Sequence, residues 1–166
     1  SEMCIRDRPE TVCSGSSTTL TATGGNSYVW STGENTPSIS VSPTDTTTYT
    51  VDIEQHASCT ATIPITVNTF ELPSVSAGSD NSVCIGSSIN LSATGASTYL
   101  WTPTATLSDS AISNPVATPT TNTTYIVAGT DVNGCTNTDT ITISINSLPT
   151  IDAGNNTDLC LSLIHI

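Results

Sequence analysis

One pattern of residues occurs twice in this chain, and its beginning occurs a third time. Cys13, Leu20, Gly24, Tyr28 and Trp30 recur 71 positions on, at Cys84, Leu91, Gly95, Tyr99 and Trp101. Pro43, Tyr49, Val51, Cys59, Ile65 and Val67 recur 76 positions on, at Pro119, Tyr125, Val127, Cys135, Ile141 and Ile143. The second copy therefore carries five extra residues, which fall in the segment Pro103–Asn114. Val75–Cys84 also matches Ile151–Cys160 at a spacing of 76. A fixed internal period means that one small structural unit is used repeatedly along the chain.

Within each unit the apolar residues alternate with Ser and Thr. Leu20/Ala22, Tyr28/Trp30, Ile39/Val41, Tyr49/Val51/Ile53 and Ala61/Ile63/Ile65/Val67 all keep period two. That is the pattern of strands with one buried and one wet face. β-Branched Thr, Val and Ile suit a pleated surface, and clusters of Gly, Asn, Ser and Pro separate the runs as turns require. Short strands at this spacing predict an all-β fold of two tandem immunoglobulin-like β-sandwiches in an extended arrangement. Repeat 1 is expected over residues 9–71 and repeat 2 over 72–147, with a truncated third repeat opening at 148–160. In immunoglobulin letters, repeat 1 has strand B near 18–23, C near 28–31, E near 38–42, F near 47–53 and G near 59–67. Pro64 lacks an N–H to donate, so strand G should be an edge at that point.

The predicted core residues are Leu20, Trp30, Tyr49 and Val51 in repeat 1, with Leu91, Trp101, Tyr125 and Val127 in repeat 2. Leu20 and Val51 stand where antibody domains place a disulfide between strands B and F, so the core is of the disulfide-free kind. The cysteines lie elsewhere. Cys13 precedes strand B and Cys59 lies at the F–G turn, which suggests a Cys13–Cys59 bridge and an equivalent Cys84–Cys135 bridge. Closing a loop of this length stabilises by about 4 kcal/mol in the chain-entropy model, which is a large contribution for a sandwich of some seventy residues.

Charge excludes several functions. The net charge is -12, and Arg6 and Arg8 are the only basic residues besides histidine. A nucleic-acid partner needs cations against its phosphates, and an anionic membrane surface attracts them too, so neither is expected. No stretch is long and apolar enough for membrane insertion. Six cysteines without a CxxC or Cys/His cluster argue against zinc and for an oxidising, extracellular location. For a secreted protein lacking a signal peptide, the start seen here is not expected to be the natural one. Residues 1–8 and 161–166 match nothing in the body of the chain and resemble translated adapter sequence. They are set aside as non-native ends, together with Cys4 and His165.

The series Val-Cys-x-Gly-x-Ser, Leu-x-Ala-x-Gly, Tyr-x-Trp and a later Pro, Tyr and Gly-Cys covers residues 12–67 and 83–145. It resembles the Ig-like or PKD-like repeats of large secreted cell-surface proteins of Bacteroidota, of the adhesin and gliding type. Cys13, Gly15, Trp30, Tyr49 and Cys59 carry the resemblance in repeat 1. Cys84, Gly86, Trp101, Tyr125, Gly134 and Cys135 carry it in repeat 2. Ser58 departs from the expected Gly, and only Trp30-Ser-Thr-Gly33-Glu34 hints at a PKD signature, so the Ig-like label is preferred. The resemblance implies a spacer or stalk of an extracellular adhesin, a monomeric rod whose partners are neighbouring repeats of its own chain. Alternatives are a carbohydrate- or protein-binding module, or an accessory spacer of a secreted multidomain hydrolase.

No catalytic residues and no cofactor are expected. His56 is the one histidine in the body of the chain and its repeat counterpart is Val132. Neither G-x-S-x-G nor H-E-x-x-H occurs, and the acids are scattered singly rather than paired. For calcium the candidates are Asp131 and Asn133 in the F–G turn, with Asp80 and Asp152 near the linkers, although the set lacks the ligand series of an EF-hand. A glycan platform would use exposed aromatics, and Phe70 is the only aromatic without a repeat partner. Asp109-Ser110-Ala111 and Asp139-Thr140-Ile141 resemble a Bacteroidota O-glycosylation motif, with Ser110, in the exposed insertion, the better candidate. The linkers Phe70-Glu-Leu-Pro73 and Asn146-Ser-Leu-Pro149 are short, and Pro restricts their motion.

Overall fold

The structure, a computed structural model, describes residues 11–56 and 59–150, without the side chains of His56 and Cys59. Asp152, Cys4, Cys160, His165, both expected non-native ends and the matched part of the third repeat lie outside the described residues. Twelve strands and no helix occur among the described residues. In repeat 1 these are β1 (Thr11–Cys13), β2 (Thr18–Thr21), β3 (Ser27–Trp30), β4 (Ser38–Val41), β5 (Thr47–His56) and β6 (Cys59–Phe70). Repeat 2 has β7 (Asn81–Cys84), β8 (Ile89–Asn90), β9 (Thr98–Thr102), β10 (Val116–Ala117), β11 (Thr123–Thr130) and β12 (Thr136–Asn146).

Each repeat folds into the same two sheets. A four-stranded sheet has the order β1-β6-β5-β3 in repeat 1 and β7-β12-β11-β9 in repeat 2. A two-stranded sheet, β2-β4 or β10-β8, lies across from it. The first strand pairs parallel to the last, Cys13 opposite Phe70 and Cys84 opposite Asn146, while the other pairs are antiparallel. This is the immunoglobulin-like arrangement that the repeat pattern predicts. The chain is two tandem β-sandwiches.

Period-two alternation builds both cores. Leu20, Trp30, Ile39, Val51 and Val67 belong to one buried cluster and Leu91, Trp101, Tyr125, Val127 and Ile143 to another. Every described member of the first cluster lies in repeat 1 and every member of the second in repeat 2. Tyr49 is half-buried rather than enclosed, and packs against the first cluster from its margin. Each indole N–H reaches a backbone carbonyl in the segment after strand C: Trp30 Nε1 donates to Thr36 O at 2.8 Å and Trp101 Nε1 to Ile112 O at 3.0 Å. The hydroxyls of Tyr28 and Tyr99 each bond both backbone groups of the residue three positions earlier, Gly25 and Ala96. Buried rings with polar handles thus have those handles satisfied.

Strand β6 is not the edge of its sheet, because β1 lies beyond it. However, β1 covers only Asn68–Phe70. Pro64 faces Thr50 of β5 and, among the described residues, has no strand on its other side. The edge that proline needs is therefore local.

Candidate functional site at the junction of the repeats

The cysteines do not close the sandwiches on themselves. Cys13 of repeat 1 is bonded to Cys135 of repeat 2, across 122 positions of sequence, with their Cα atoms 5.5 Å apart. The expected pairs Cys13–Cys59 and Cys84–Cys135 are both corrected by this bond. Strand direction explains why. Since β1 runs parallel to β6, Cys13 sits beside the end of β6 at Phe70, whereas Cys59 opens that strand. The twelve residues of β6 put about 36 Å between them. Cys84, opposite Asn146 at the end of β12, is separated by a similar length of strand from Cys135, just ahead of Thr136. Both distances are far beyond the Cα–Cα reach of a disulfide, about 7 Å. Only across the junction do a β1-type cysteine and an F–G cysteine meet. Cys84 is exposed and carries no disulfide.

The F–G turn presents Cys135 through its own hydrogen bonds. Asp131 Oδ1 accepts from Asn133 N at 2.9 Å and from Cys135 N at 2.8 Å, and Asp131 N donates to Cys135 O at 2.9 Å. Asn133 Nδ2 reaches Asp131 Oδ2 at 3.2 Å. Gly134 takes φ +83, a left-handed conformation that glycine adopts without penalty. Burial alone would raise the Asp131 pKa. The Cys135 N–H, both Asn133 groups and the Gly134 N–H outweigh it and hold the carboxyl below its usual value.

The linker is fastened to the same end of repeat 2. Pro73 is buried, and its carbonyl accepts from Asn137 Nδ2 at 3.0 Å, two residues past Cys135. Ser76 bridges Thr94 through two backbone bonds of 3.0 Å. Asp139 Oδ2 accepts from Ala77 N at 2.8 Å, and the N–H groups of Ala77 and Thr140 keep that carboxyl below its usual pKa against the opposing effect of burial. Gly95, at φ +90, leaves room for the linker backbone: a Cβ there would stand 1.9 Å from Ser74 O. That close approach, with the left-handed φ, is the reason for glycine at position 95.

The remaining candidates are dispersed. Asp80 is exposed and its Oδ1 accepts from Thr142 N at 2.8 Å. It therefore lies about 23 Å of strand away from the Asp131 turn, seven positions along β12, so these two calcium candidates cannot share an ion. No group of three or more His, Cys, Asp or Glu side chains that could hold a metal occurs among the described residues. Ser110 is half-buried and its carbonyl accepts from Trp101 N at 2.8 Å; Thr140 is exposed on β12. Phe70, 39% exposed, stands opposite Cys13 at the junction. Sequence reasoning missed the junction as a site. The signal was available in the alternating strand directions, which send the start of the sandwich and its F–G turn to opposite ends.

No family model matches the sequence, and no curated protein does. Among solved structures, the insect immune protein hemolin aligns at 12% identity over 84% of this chain and 45% of its own, with a TM-score of 0.39. Fibronectin(III)-like modules of CbhA from Clostridium thermocellum align at 12% identity over 88% and 95%, TM-score 0.39. The tandem Ig repeats of Dlar align at 9% identity over 84% and 94%, TM-score 0.37. This chain thus spans less than half the length of hemolin. The immunoglobulin-like reading stands on the strand order of the chain itself.

Proposed function

We propose that these repeats are extracellular spacer modules, which hold another part of a surface protein at a fixed attitude and carry out no catalysis. The observation that supports this reading is the Cys13–Cys135 bond. A flexible pair of sandwiches would hinge at the linker. Here the linker and a covalent bond both join the two bodies, so the hinge has two attachments instead of one. Disulfides persist in oxidising compartments, in keeping with an extracellular or cell-surface location. The six repeat-matched aromatics fill or flank the two cores, which supports a structural use for them over a glycan platform.

Small-angle X-ray scattering of the chain, oxidised and reduced, tests the proposal. Two sandwiches in line give a radius of gyration well above the roughly 15 Å of one compact body of this length. Reduction should broaden the distance distribution by freeing the hinge. A radius near 15 Å, or identical curves in both redox states, would overturn it.

A further inference from the structure

The outer faces of the two large sheets carry different charge. In repeat 2, Leu100 stands directly opposite Ala128, and Ile126 lies between Thr102 and Thr140. Leu100 and Ile126 are diagonal neighbours there, within reach of one another, and in the intact chain they are 53% and 44% exposed. Threonines surround them. The hydroxyls of Thr124 and Thr142 lie 3.0 Å apart, as do those of Thr130 and Thr136. Each pair satisfies part of its own hydrogen bonding, so covering this face leaves fewer polar atoms without a partner. Among the described residues, β9, β11 and β12 turn no charged side chain outward on it. Asp139 has the parity of the buried Ile141 and faces the other way, towards Ala77 N, while Asp80 lies at the sheet edge on Thr142 N. Repeat 1 is charged at the same places. Asp52 and Glu54 stand where repeat 2 has Ala128 and Thr130, and Thr50 where it has Ile126. Asp52 is directly opposite Val29, the counterpart of Leu100.

We propose that the outer face of the large sheet of repeat 2 is a self-association surface, on which a second copy of this chain docks face to face. Charge selects the partner. The chain has a net charge of -12, with Arg6 and Arg8 its only basic residues besides histidine. A basic partner is drawn to the carboxylates, which lie elsewhere. A second copy is repelled at every acidic surface and meets least repulsion where neither copy presents a carboxylate. The contact is isologous: about a two-fold axis, Leu100 and Ile126 of one copy cover the same residues of the other. Seven residues of β11 and the four strands of the sheet give a face of about 20 Å by 19 Å. Two copies then bury about 800 Å2, the size of a weak, transient contact rather than of a permanent dimer. Such contacts add up where many chains stand side by side. The proposal rests on this face, not on the spacer role.

The test is sedimentation equilibrium of the full oxidised chain at millimolar concentration, its free thiols blocked with iodoacetamide. Dimer should grow as salt rises from about 0.01 M to about 1 M, because the Debye length falls from about 30 Å to about 3 Å and screens the repulsion between copies. Ala128→Asp gives repeat 2 the residue of repeat 1 and should weaken dimerisation at least about tenfold, since like charges then face each other across the contact. Leu100→Thr, which adds no charge, should weaken it too. Thr50→Asp, on the matching face of repeat 1, should leave it unchanged. Thermal melts report whether each variant is folded, and Leu100→Thr decides the matter if Ala128→Asp is not. A chain that stays monomeric at both salt concentrations overturns the proposal. So does a dimer that neither repeat 2 variant weakens, or one that Thr50→Asp weakens equally.

Discussion

The two repeats share a core and differ in how they cover it. In repeat 1 the small sheet is complete, with Thr18–Thr21 paired along Ser38–Val41. In repeat 2 it shrinks to Ile89 and Asn90 against Ala117 and Val116. The longer connection from β9 to β10 makes up for the loss. It delivers Leu107, which bridges Ala117 and packs on the core, and Thr106, whose Oγ1 lies 2.6 Å from Tyr125 Oη. Tyr125 is fully buried as a result, while its counterpart Tyr49 is half-buried. The inward residues of the large sheet are held constant by packing. The second layer can be strand or loop, provided that it covers the same rings and satisfies their polar atoms.

The largest test of this equivalence is removal of the two indoles. Trp30→Ala and Trp101→Ala should each cost about 3–5 kcal/mol in urea denaturation, as expected for emptying a fully buried aromatic site. A much smaller loss at Trp30 would show that repeat 1 is the looser core. Reduction of Cys13–Cys135 comes next. The bond closes the 122 positions that separate its cysteines into a single loop that runs through both sandwiches. In the chain-entropy model that loop is worth about 5 kcal/mol in total, about 4 of it against unfolding of whichever repeat opens first. Calorimetry with and without reductant should show the earlier transition falling the more. A later transition that falls as far would mean that the bond does more than close a loop.

Smaller effects separate the repeats. Tyr125→Phe strands the Thr106 hydroxyl and should cost about 1 kcal/mol. Tyr49→Phe should be close to neutral, because the Tyr49 hydroxyl has no hydrogen bond among the described residues; thermal melts of both variants decide it. The smallest difference concerns pH. Asp131 titrates below its usual 3.8 when folded, so its contribution is present above the unfolded value and is lost as the pH falls through the folded one. Repeat 1 has Gln55 at that position. Asp131→Asn should therefore flatten part of the acid limb of repeat 2 below about pH 4, measured as melting temperature against pH. No change in that limb would mean that the turn holds without its carboxylate.

Much of this was legible in the residues. Leu20, Trp30, Val51 and their counterparts could be placed in two cores because period-two alternation states which face is buried, and duplication repeats the statement. Gly95 could be marked as a landmark but not explained, since its close neighbour Ser74 comes from the linker of the fold, twenty-one positions earlier. The enclosure of Tyr125 was hidden in the length of an insertion whose path no pattern specifies. The disulfide failed for a different reason. Spacing places Cys13 before strand B and Cys59 at the F–G turn, but bonding depends on which end of the sandwich each occupies. Repeat logic alone favours pairing within the unit, whereas strand direction permits pairing only between units.

The Cys13–Cys135 bond also decides what tension along the chain can do. A pull entering at Thr11 and leaving at Asn146 reaches Cys13 after three residues, crosses the sulfurs, and continues along β12. The 122 positions between the cysteines form a covalent loop beside that path. Stretched out they would span about 400 Å, and none of this length can be released while the bond is intact. A pulling experiment should therefore record only a short extension before rupture, and the full gain in contour length only after reduction. Load passes along the final strand of the second sandwich, and the first sandwich hangs beside the line of force instead of lying in it.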